Sequence, residues 1–169
     1  LFWGNQELFI PVYSSLKDMP VSIQKEITLF FNISSGRRTL SSTLEAIDFF
    51  PHLIGGAVFA ENVPENNSLE IYDYAQKKGI SVVGPASVGL LLPNHLKLGA
   101  IGGTQAKQLV DSRLFESGNV AVFSSSGGMT NELISLVNRL NKRLSFSLSF
   151  GGDRFPVCTP VEAFLAAEQ

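Results

Sequence analysis

The sequence predicts an α/β protein built on a parallel sheet, and three observations support this class. Short continuous apolar runs, rich in β-branched and aromatic residues, alternate with longer segments of helical periodicity. The connections between them are short and carry glycine, serine or proline. Of the 169 residues, 44% are hydrophobic and 17% are charged, which is enough to build a sizeable core. Alternation of this kind favours parallel strands with right-handed crossovers.

The first part of the chain is predicted to run strand, helix, strand, helix, strand. The strands are the apolar runs at 27–33, 53–60 and 80–83, and the helices span 38–50 and 64–78. Pro64 suits a first helical turn, and Gly79 stands where a helix C-cap belongs. An additional strand is a candidate at 9–13, followed by a short helical turn at 16–19.

The middle of the chain differs from the rest because it lacks a long periodic segment and carries three closely spaced glycines. We interpret residues 91–118 as a linker with one strand around 96–101. The alternation then resumes with a strand at 119–123, a helix at 129–140, a strand at 144–150 and a last helix from about Pro160. The predicted organisation is therefore a first domain at 1–90, the linker, and the truncated start of a second domain at 119–169.

Composition excludes several classes of protein. Lys plus Arg is 13 and Asp plus Glu is 15, so the basic excess of a general nucleic-acid binder is missing. Cys158 is the single cysteine, which excludes an internal disulfide, and neither His52 nor His95 has a partner at metal-ligand spacing. No apolar stretch approaches the roughly 20 residues that span a bilayer, and no signal peptide is visible. We expect a cytoplasmic protein with no nucleic-acid partner, no membrane partner and no metal site.

The strongest local signal is the Ser-Ser-Ser-Gly-Gly turn at 124–128, between a buried strand and an amphipathic helix. Ser126, Gly127 and Gly128 fall at the predicted helix start, where free N–H groups and the helix dipole favour an anion such as phosphate. A plain helix cap with glycines for a tight turn explains the residues equally well. Both interpretations stay open on the residues alone.

Polar groups also follow other strands. Arg154 ends a strand with Asp153, where an arginine can hold a carboxylate or phosphate, although a capping aspartate with a solvated arginine is equally consistent. Ser34 and Ser35 follow the first buried strand, where a solvated helix start is the favoured interpretation. Glu61 ends the next strand in the same layer, so one ligand would reach both groups.

Several motifs, taken in order, carry a resemblance to a known family. They are the segments 84–89 (GPASVG), 97–99 (KLG), 126–132 (SGGMTNE), 151–156 (GGDRFP) and 60–65 (AENVPE). Together they resemble the succinyl-CoA synthetase α-subunit superfamily, and within it the ATP-citrate lyases. The resemblance implies a Rossmann-like CoA-binding domain, with its first βα unit missing, followed by the start of a flavodoxin-like CoA-ligase domain.

The resemblance also implies a reaction. Citrate, CoA and ATP form citryl-CoA through a phosphohistidine and citryl phosphate, leading to acetyl-CoA and oxaloacetate. CoA is a substrate, whereas ATP and Mg are expected on a partner ATP-grasp β-type domain or subunit of an oligomeric enzyme. Two alternatives are a fragment similar to a succinate-CoA ligase α-subunit, and a non-catalytic relative that binds CoA or a partner.

Site residues are carried over by position from the same resemblance. Ser126, Gly127 and Gly128 would bind the phosphate or acyl phosphate, and Asn131 and Arg154 would face the substrate. The positions that correspond to CoA-binding residues are Ser34, Ser35, Phe59, Ala60 and Glu61. No catalytic residue is expected in this span, because the phosphohistidine lies outside it, so the chain alone is expected to be inactive. Ser125 replaces a usual arginine, and Asn62 a usual glycine.

Overall fold

The protein is built on a three-stranded and a four-stranded sheet with helices packed against them. The computed structural model describes residues 2–3, 6–7 and 9–168. The elements up to the end of the first sheet are β1 (Phe2–Trp3), β2 (Gln6–Glu7), a 3-10 turn (Leu16–Asp18), α1 (Val21–Glu26), β3 (Leu29–Asn32), α2 (Thr39–Phe49), β4 (Gly55–Val58), α3 (Glu65–Lys78) and β5 (Ser81–Val83). Those that follow are β6 (Gly89–Leu92), β7 (Leu96–Gly99), α4 (Ala106–Asp111), β8 (Val120–Ser124), α5 (Gly127–Arg139), β9 (Leu144–Ser149) and α6 (Pro160–Ala167).

The first sheet confirms the predicted strand, helix, strand, helix, strand order. Its strands run β3-β4-β5, and both pairs are parallel. The crossovers α2 and α3 pack against it around a core that includes Ile47, Val58 and Ile71. Gly56 is required by this packing, because a Cβ there would lie 2.4 Å from the Phe30 ring. The predicted α/β class with a parallel sheet is therefore confirmed.

The start of the chain was predicted less well. The candidate strand at 9–13 is wrong: these residues form no regular secondary structure, and Phe9 and Val12 are 86% and 90% exposed. An apolar run becomes a strand only where a neighbour pairs with it, and this run has none within the described chain. The short helical turn predicted at 16–19 is confirmed at Leu16–Asp18, whereas α1 was not predicted.

The second sheet has the order β7-β6-β9-β8. Strands β8 and β9 are parallel and are linked by α5, whereas β6 runs antiparallel to both β7 and β9. The prediction of a single strand in 91–118 is therefore wrong, because the segment includes most of a two-strand hairpin and also α4. Gly89 lies opposite Gly99 in this hairpin, and a Cβ on Gly89 would lie only 1.8 Å from the Leu98 carbonyl oxygen. The hairpin packs as part of the second sheet, while the predicted domain limits stay a prediction.

The two sheets meet through a shared apolar cluster. Ala57 and Val83 of the first sheet pack with Leu148 and Phe150, at the end of the second. Main-chain bonds reinforce the junction, since the Ala86 amide donates to the Ala60 carbonyl at 2.8 Å. Strand ends from both sheets are consequently held close together. Among the described residues, no helix is long and apolar enough to cross a bilayer.

Candidate functional site

An open polar cleft of about 380 Å³ lies at the junction of the two sheets. We call it the polar cleft, and it is lined by Glu61, Asn62, Ala86, Ser125, Ser126, Gly127, Gly152 and Asp153. These residues come from the segments that follow β4, β5, β8 and β9. The carboxyl ends of strands are where open α/β sheets place their ligands. The position of the cleft therefore agrees with the edge at which the sequence predicted a site.

The N-terminus of α5 opens into the polar cleft. Ser126 is the N-cap, and its Oγ accepts the Met129 amide at 3.3 Å. The Ser126 amide itself donates to the Ser124 Oγ at 3.1 Å. The amides of Gly127 and Gly128 are then first-turn donors with no acceptor in the described part of the chain. The arrangement fits a helix cap and also leaves two N–H groups and the positive helix end for an anion.

The two glycines of this turn have different structural roles. A Cβ on Gly127 would lie 2.4 Å from Val88 Cγ1, so glycine is needed there for packing. A Cβ on Gly128 would have no heavy atom within 4 Å. Gly127 therefore serves the junction between α5 and β6, whereas Gly128 leaves open space beside the helix end.

Two carboxylates shape the other wall of the polar cleft. Asp153 Oδ2 accepts the Val63 amide at 3.3 Å, which ties the turn after β9 to the loop after β4. Glu61 is exposed. No Lys or Arg is among the lining residues, and Ser125 is exposed there. Among the lining residues, positive potential comes from the α5 end, and the carboxylates oppose it.

The turn after β4 explains how an asparagine stands where the family usually has glycine. Asn62 has a φ of 56°, in the left-handed region that favours glycine. Asparagine tolerates this region better than most side chains. Gly36 packs against this turn, because a Cβ on it would lie 3.0 Å from the Glu61 carbonyl oxygen. The replacement is therefore compatible with the backbone at this edge.

The predicted substrate-facing residues do not line the polar cleft. Arg154 reaches Glu65 at the start of α3, with a 3.4 Å ion pair, and its guanidinium lies 5.3 Å from the centre of the Phe155 ring. Asn131 Oδ1 accepts the Gly102 amide at 2.7 Å and so holds the turn after β7. Both side chains make structural contacts here, and their substrate role stays a prediction.

A second, apolar cleft of about 280 Å³ lies beside the ends of β3 and β4. We call it the aromatic cleft, and it is lined by Phe31, Ile33, Phe59, Gly99, Ala100 and Thr104. Phe31 and Phe59 meet edge to face with their ring centroids 5.9 Å apart. They remain 37% and 40% exposed, so part of each aromatic ring is open to solvent.

Two of the predicted CoA-binding residues line the clefts, and the other three do not. Phe59 lines the aromatic cleft and Glu61 lines the polar cleft. Ala60 is buried, and its carbonyl accepts the Ala86 amide. Ser34 and Ser35 line neither cleft. Ser35 is exposed, and its carbonyl accepts amides from the start of α2.

Sequence reasoning missed Asn32, which organises the turn after β3. Its Oδ1 accepts the Ser34 Oγ at 2.6 Å, and its Nδ2 donates to Ser42 Oγ at 2.8 Å and Thr43 Oγ1 at 2.9 Å. Asn32 is 8% exposed, so it serves the fold and not a ligand. A polar side chain inside an otherwise apolar run, followed by two serines, was the available signal.

The remaining reactive side chains lie away from the polar cleft. His52 is in an exposed turn, and His95 lines a different pocket. Burial, with a smaller contribution from Glu162, raises the pKa of the Cys158 thiol from its ordinary 9.0 to about 11. Within residues 2–3, 6–7 and 9–168, no three His, Cys, Asp or Glu side chains are grouped to hold a metal ion.

Comparison with known proteins gives a consistent answer. No family model matches the chain. A probable ATP-citrate synthase subunit 1 from Neurospora crassa is 36% identical over 167 residues, which covers 98% of this chain and 24% of the relative. The human ATP-citrate synthase is 33% identical over 94% of this chain and 14% of the relative. The chain therefore spans about a quarter or less of the length of these relatives.

Solved structures agree with these sequence matches. A variant of the ATP citrate lyase from Methanosaeta concilii, in complex with (3S)-citryl-CoA, superimposes with a TM-score of 0.91 at 30% identity. The match covers 99% of this chain and 27% of that one. Sequence and fold thus lead to the same conclusion: the chain is homologous to a segment of the ATP-citrate synthases, of which it spans about a quarter or less.

Proposed function

We propose that this chain is the CoA-ligase segment of an ATP-citrate synthase that forms citryl-CoA from citrate, CoA and ATP, leading to acetyl-CoA and oxaloacetate. The observation that carries the proposal is the polar cleft at the N-terminus of α5. It lies in a fold that superimposes at a TM-score of 0.91 on an ATP citrate lyase bound to citryl-CoA. A strand-end cleft with free helix amides is suited to a phosphate.

In this proposal the polar cleft holds the phosphate of the acyl phosphate. The free amides of Gly127 and Gly128 donate to its oxygens. Ser126 Oγ accepts the Met129 amide and keeps its own hydrogen available for a further bond. The CoA sulfur attacks the acyl carbon of citryl phosphate, and the bond between that carbon and the phosphate oxygen breaks. Inorganic phosphate leaves with the electron pair, and the thiol proton passes to phosphate or solvent.

CoA approaches from the aromatic cleft. The exposed faces of Phe31 and Phe59 suit the adenine ring, because aromatic rings stack on bases. Ser34, Ser35, Ala60 and Glu61 complete the proposed CoA contacts by resemblance. The hydroxyl of Ser34 already serves Asn32, so the turn contributes through its main chain in this arrangement.

Other parts of the reaction are proposed to lie elsewhere. ATP and Mg act on a partner ATP-grasp domain or subunit of an oligomeric, cytoplasmic enzyme, and the phosphorylated histidine lies outside residues 1–169. Support comes from the fraction of each relative that is matched, 24% and 14%. The positions of His52 and His95, away from the polar cleft, also support it. Asn131 and Arg154 would face the substrate only after this partner is in place.

The test uses the complete natural polypeptide that contains this segment. ATP-, CoA- and citrate-dependent oxaloacetate release is measured by coupling it to NADH oxidation with malate dehydrogenase. Citrate is then replaced by succinate, and ATP-dependent loss of the free CoA thiol is measured instead, because succinyl-CoA formation releases no oxaloacetate. We expect activity with citrate and a clear loss in Ser126→Ala. The exposed Ser41→Ala on α2 is the matched control and should keep full activity. CoA ligation with succinate in place of citrate would identify the succinate-CoA ligase alternative.

One observation favours the second candidate, a non-catalytic relative. The polar cleft carries two carboxylates and no cation, and Ser125 stands where the family usually has arginine. Such a protein would bind CoA without turnover. A natural polypeptide close to 18.3 kDa, inactive with citrate and succinate when mixed with a related ATP-grasp subunit, would replace the first proposal with this one.

A further inference from the structure

A pocket that shares no residue with either cleft lies under the β6–β7 hairpin, and we call it the hairpin pocket. Its volume is about 240 Å³, and its walls are mainly apolar: Leu91, Leu92, Leu96, Leu109, Leu114 and Phe115. Two hydrogen bonds join the hairpin turn to the segment after α4. The Asn94 amide donates to the Leu114 carbonyl at 3.1 Å, and Ser117 Oγ donates to the Pro93 carbonyl at 3.0 Å. The pocket is thus a formed cavity between the hairpin and the segment after α4.

The polar lining of the hairpin pocket has one sign of charge. Asn94, His95 and Lys97 line it, and no Asp or Glu does. Lys97 Nζ donates one hydrogen bond, to the Gly99 carbonyl at 2.7 Å, and makes no ion pair in the described part of the chain. Its side chain is only partly exposed. An ammonium group that is partly desolvated and lacks a counter-ion is costly, and an anion would offset this cost.

We propose that the hairpin pocket binds a small monocarboxylate with an aliphatic chain, whose carboxylate pairs with Lys97 and whose chain fills the leucine-lined cavity. Lys97 has two N–H groups left for the carboxylate, and Asn94 and His95 add donors at the same rim. Burial lowers the pKa of Lys97, and a bound anion would oppose this shift because it favours the charged form.

Charge and polarity exclude other classes of ligand. The lining is mainly apolar and holds one lysine, so the several phosphates of a nucleotide or of CoA would lack partners. A cationic ligand would meet the Lys97 ammonium group. A polar tricarboxylate such as citrate would leave charges against the leucine walls without partners. A short fatty acid matches both the charge and the apolar surface.

The experiment titrates the full 169-residue chain with octanoate by calorimetry, with octanol and octylamine as uncharged and cationic probes of equal length. We expect octanoate to bind about tenfold or more tightly than either, because only its carboxylate forms a charge-assisted pair with Lys97. Lys97→Met keeps the aliphatic stem and should remove the preference for octanoate over octanol. Lys107→Met changes an exposed lysine of α4 that is paired with Asp111, and it should alter neither the affinity for octanoate nor the preference for octanoate over octanol.

A second variant tests the cavity separately from the charge. Leu92 lies at the rim and is 37% exposed, so Leu92→Trp should fill the pocket while the fold survives, as checked by circular dichroism. Binding of octanoate and octanol should both fall in this variant. Absence of octanoate binding, equal affinity for octanoate and octanol, or an unchanged preference in Lys97→Met would each overturn the proposal. The proposed acyl-CoA chemistry would be unaffected by these outcomes, because it uses the polar and aromatic clefts.

Discussion

Gly127 and Gly128 provide a matched pair of positions at the N-terminus of α5. Each is changed to alanine, which adds the same methyl group to the same helical turn. On Gly127 that group would lie 2.4 Å from Val88 Cγ1 and 3.3 Å from Val88 Cγ2. On Gly128 it would find no heavy atom within 4 Å. The two variants therefore differ in packing and share their backbone effect.

The size of the difference follows from this geometry. Alanine favours the helix over glycine by about 0.5–1 kcal/mol, and this gain is common to both variants. The clash with Val88 shortens an ordinary contact of 3.4–4 Å to 2.4 Å, and overpacking of a fixed site costs about 1–3 kcal/mol. Valine is β-branched and stiff at χ1, so it yields little. Gly127→Ala should be less stable than Gly128→Ala by about 1–3 kcal/mol.

Urea unfolding at equilibrium, followed by circular dichroism, measures this difference. With a slope of about 2 kcal/mol per molar urea, the midpoints should differ by about 0.5–1.5 M. Gly128→Ala should unfold at or above the urea concentration of the parent chain. A Gly127→Ala midpoint equal to that of Gly128→Ala, with similar slopes, would refute the assignment of Gly127 to packing and Gly128 to open space.

Three further predictions concern side chains with defined partners. Ser126→Ala should lower the free energy of unfolding by about 1 kcal/mol through loss of the N-cap, whereas exposed Ser125→Ala should change it little; equal urea midpoints would contradict this. Asn32→Ala should cost about 1–3 kcal/mol because the buried Thr43 hydroxyl loses its partner, and a loss below about 0.5 kcal/mol in the same assay would argue against a central role. The Cys158 thiol should react with a disulfide reagent at pH 8 about 100-fold more slowly than an ordinary thiol, because its pKa rises from 9.0 to about 11; fast labelling of the native chain would count against this burial. The same shift should lower stability between pH 9 and 11, where the unfolded thiol ionises before the folded one.

Most of the elements followed from local patterns in the sequence. The apolar runs that became β3, β4, β8 and β9, and the periodic segments that became α2, α3 and α5, were predicted within a few residues of their ends. Helix caps could be predicted in the same way. Gly79 ends α3 with a φ of 69°, as expected for a glycine at a helix C-cap. Local signals work for such elements because propensity, periodicity and capping chemistry all lie within one segment.

The failures were pairings between distant segments. Residues 9–13 look like a strand but have no neighbour to pair with in the described chain. Residues 91–118 look like a linker with one strand, yet β6, at its start, finds its second partner in β9, which lies more than fifty residues away. Neither outcome can be predicted from the segment itself, because the main-chain groups of a strand form hydrogen bonds with whichever strand lies beside it.

The candidate site divides in the same way. The capped start of α5 and the polar residues that end each strand could be predicted from the sequence, since these depend on neighbours along the chain. That the ends of β4, β5, β8 and β9 enclose one polar cleft depends on tertiary packing. Tertiary packing also decided that Arg154 pairs with Glu65 and that Asn131 accepts the Gly102 amide. The physical reason is that cleft geometry and side-chain partners arise from packing the two sheets through their shared apolar cluster, and this packing joins residues that no local pattern connects.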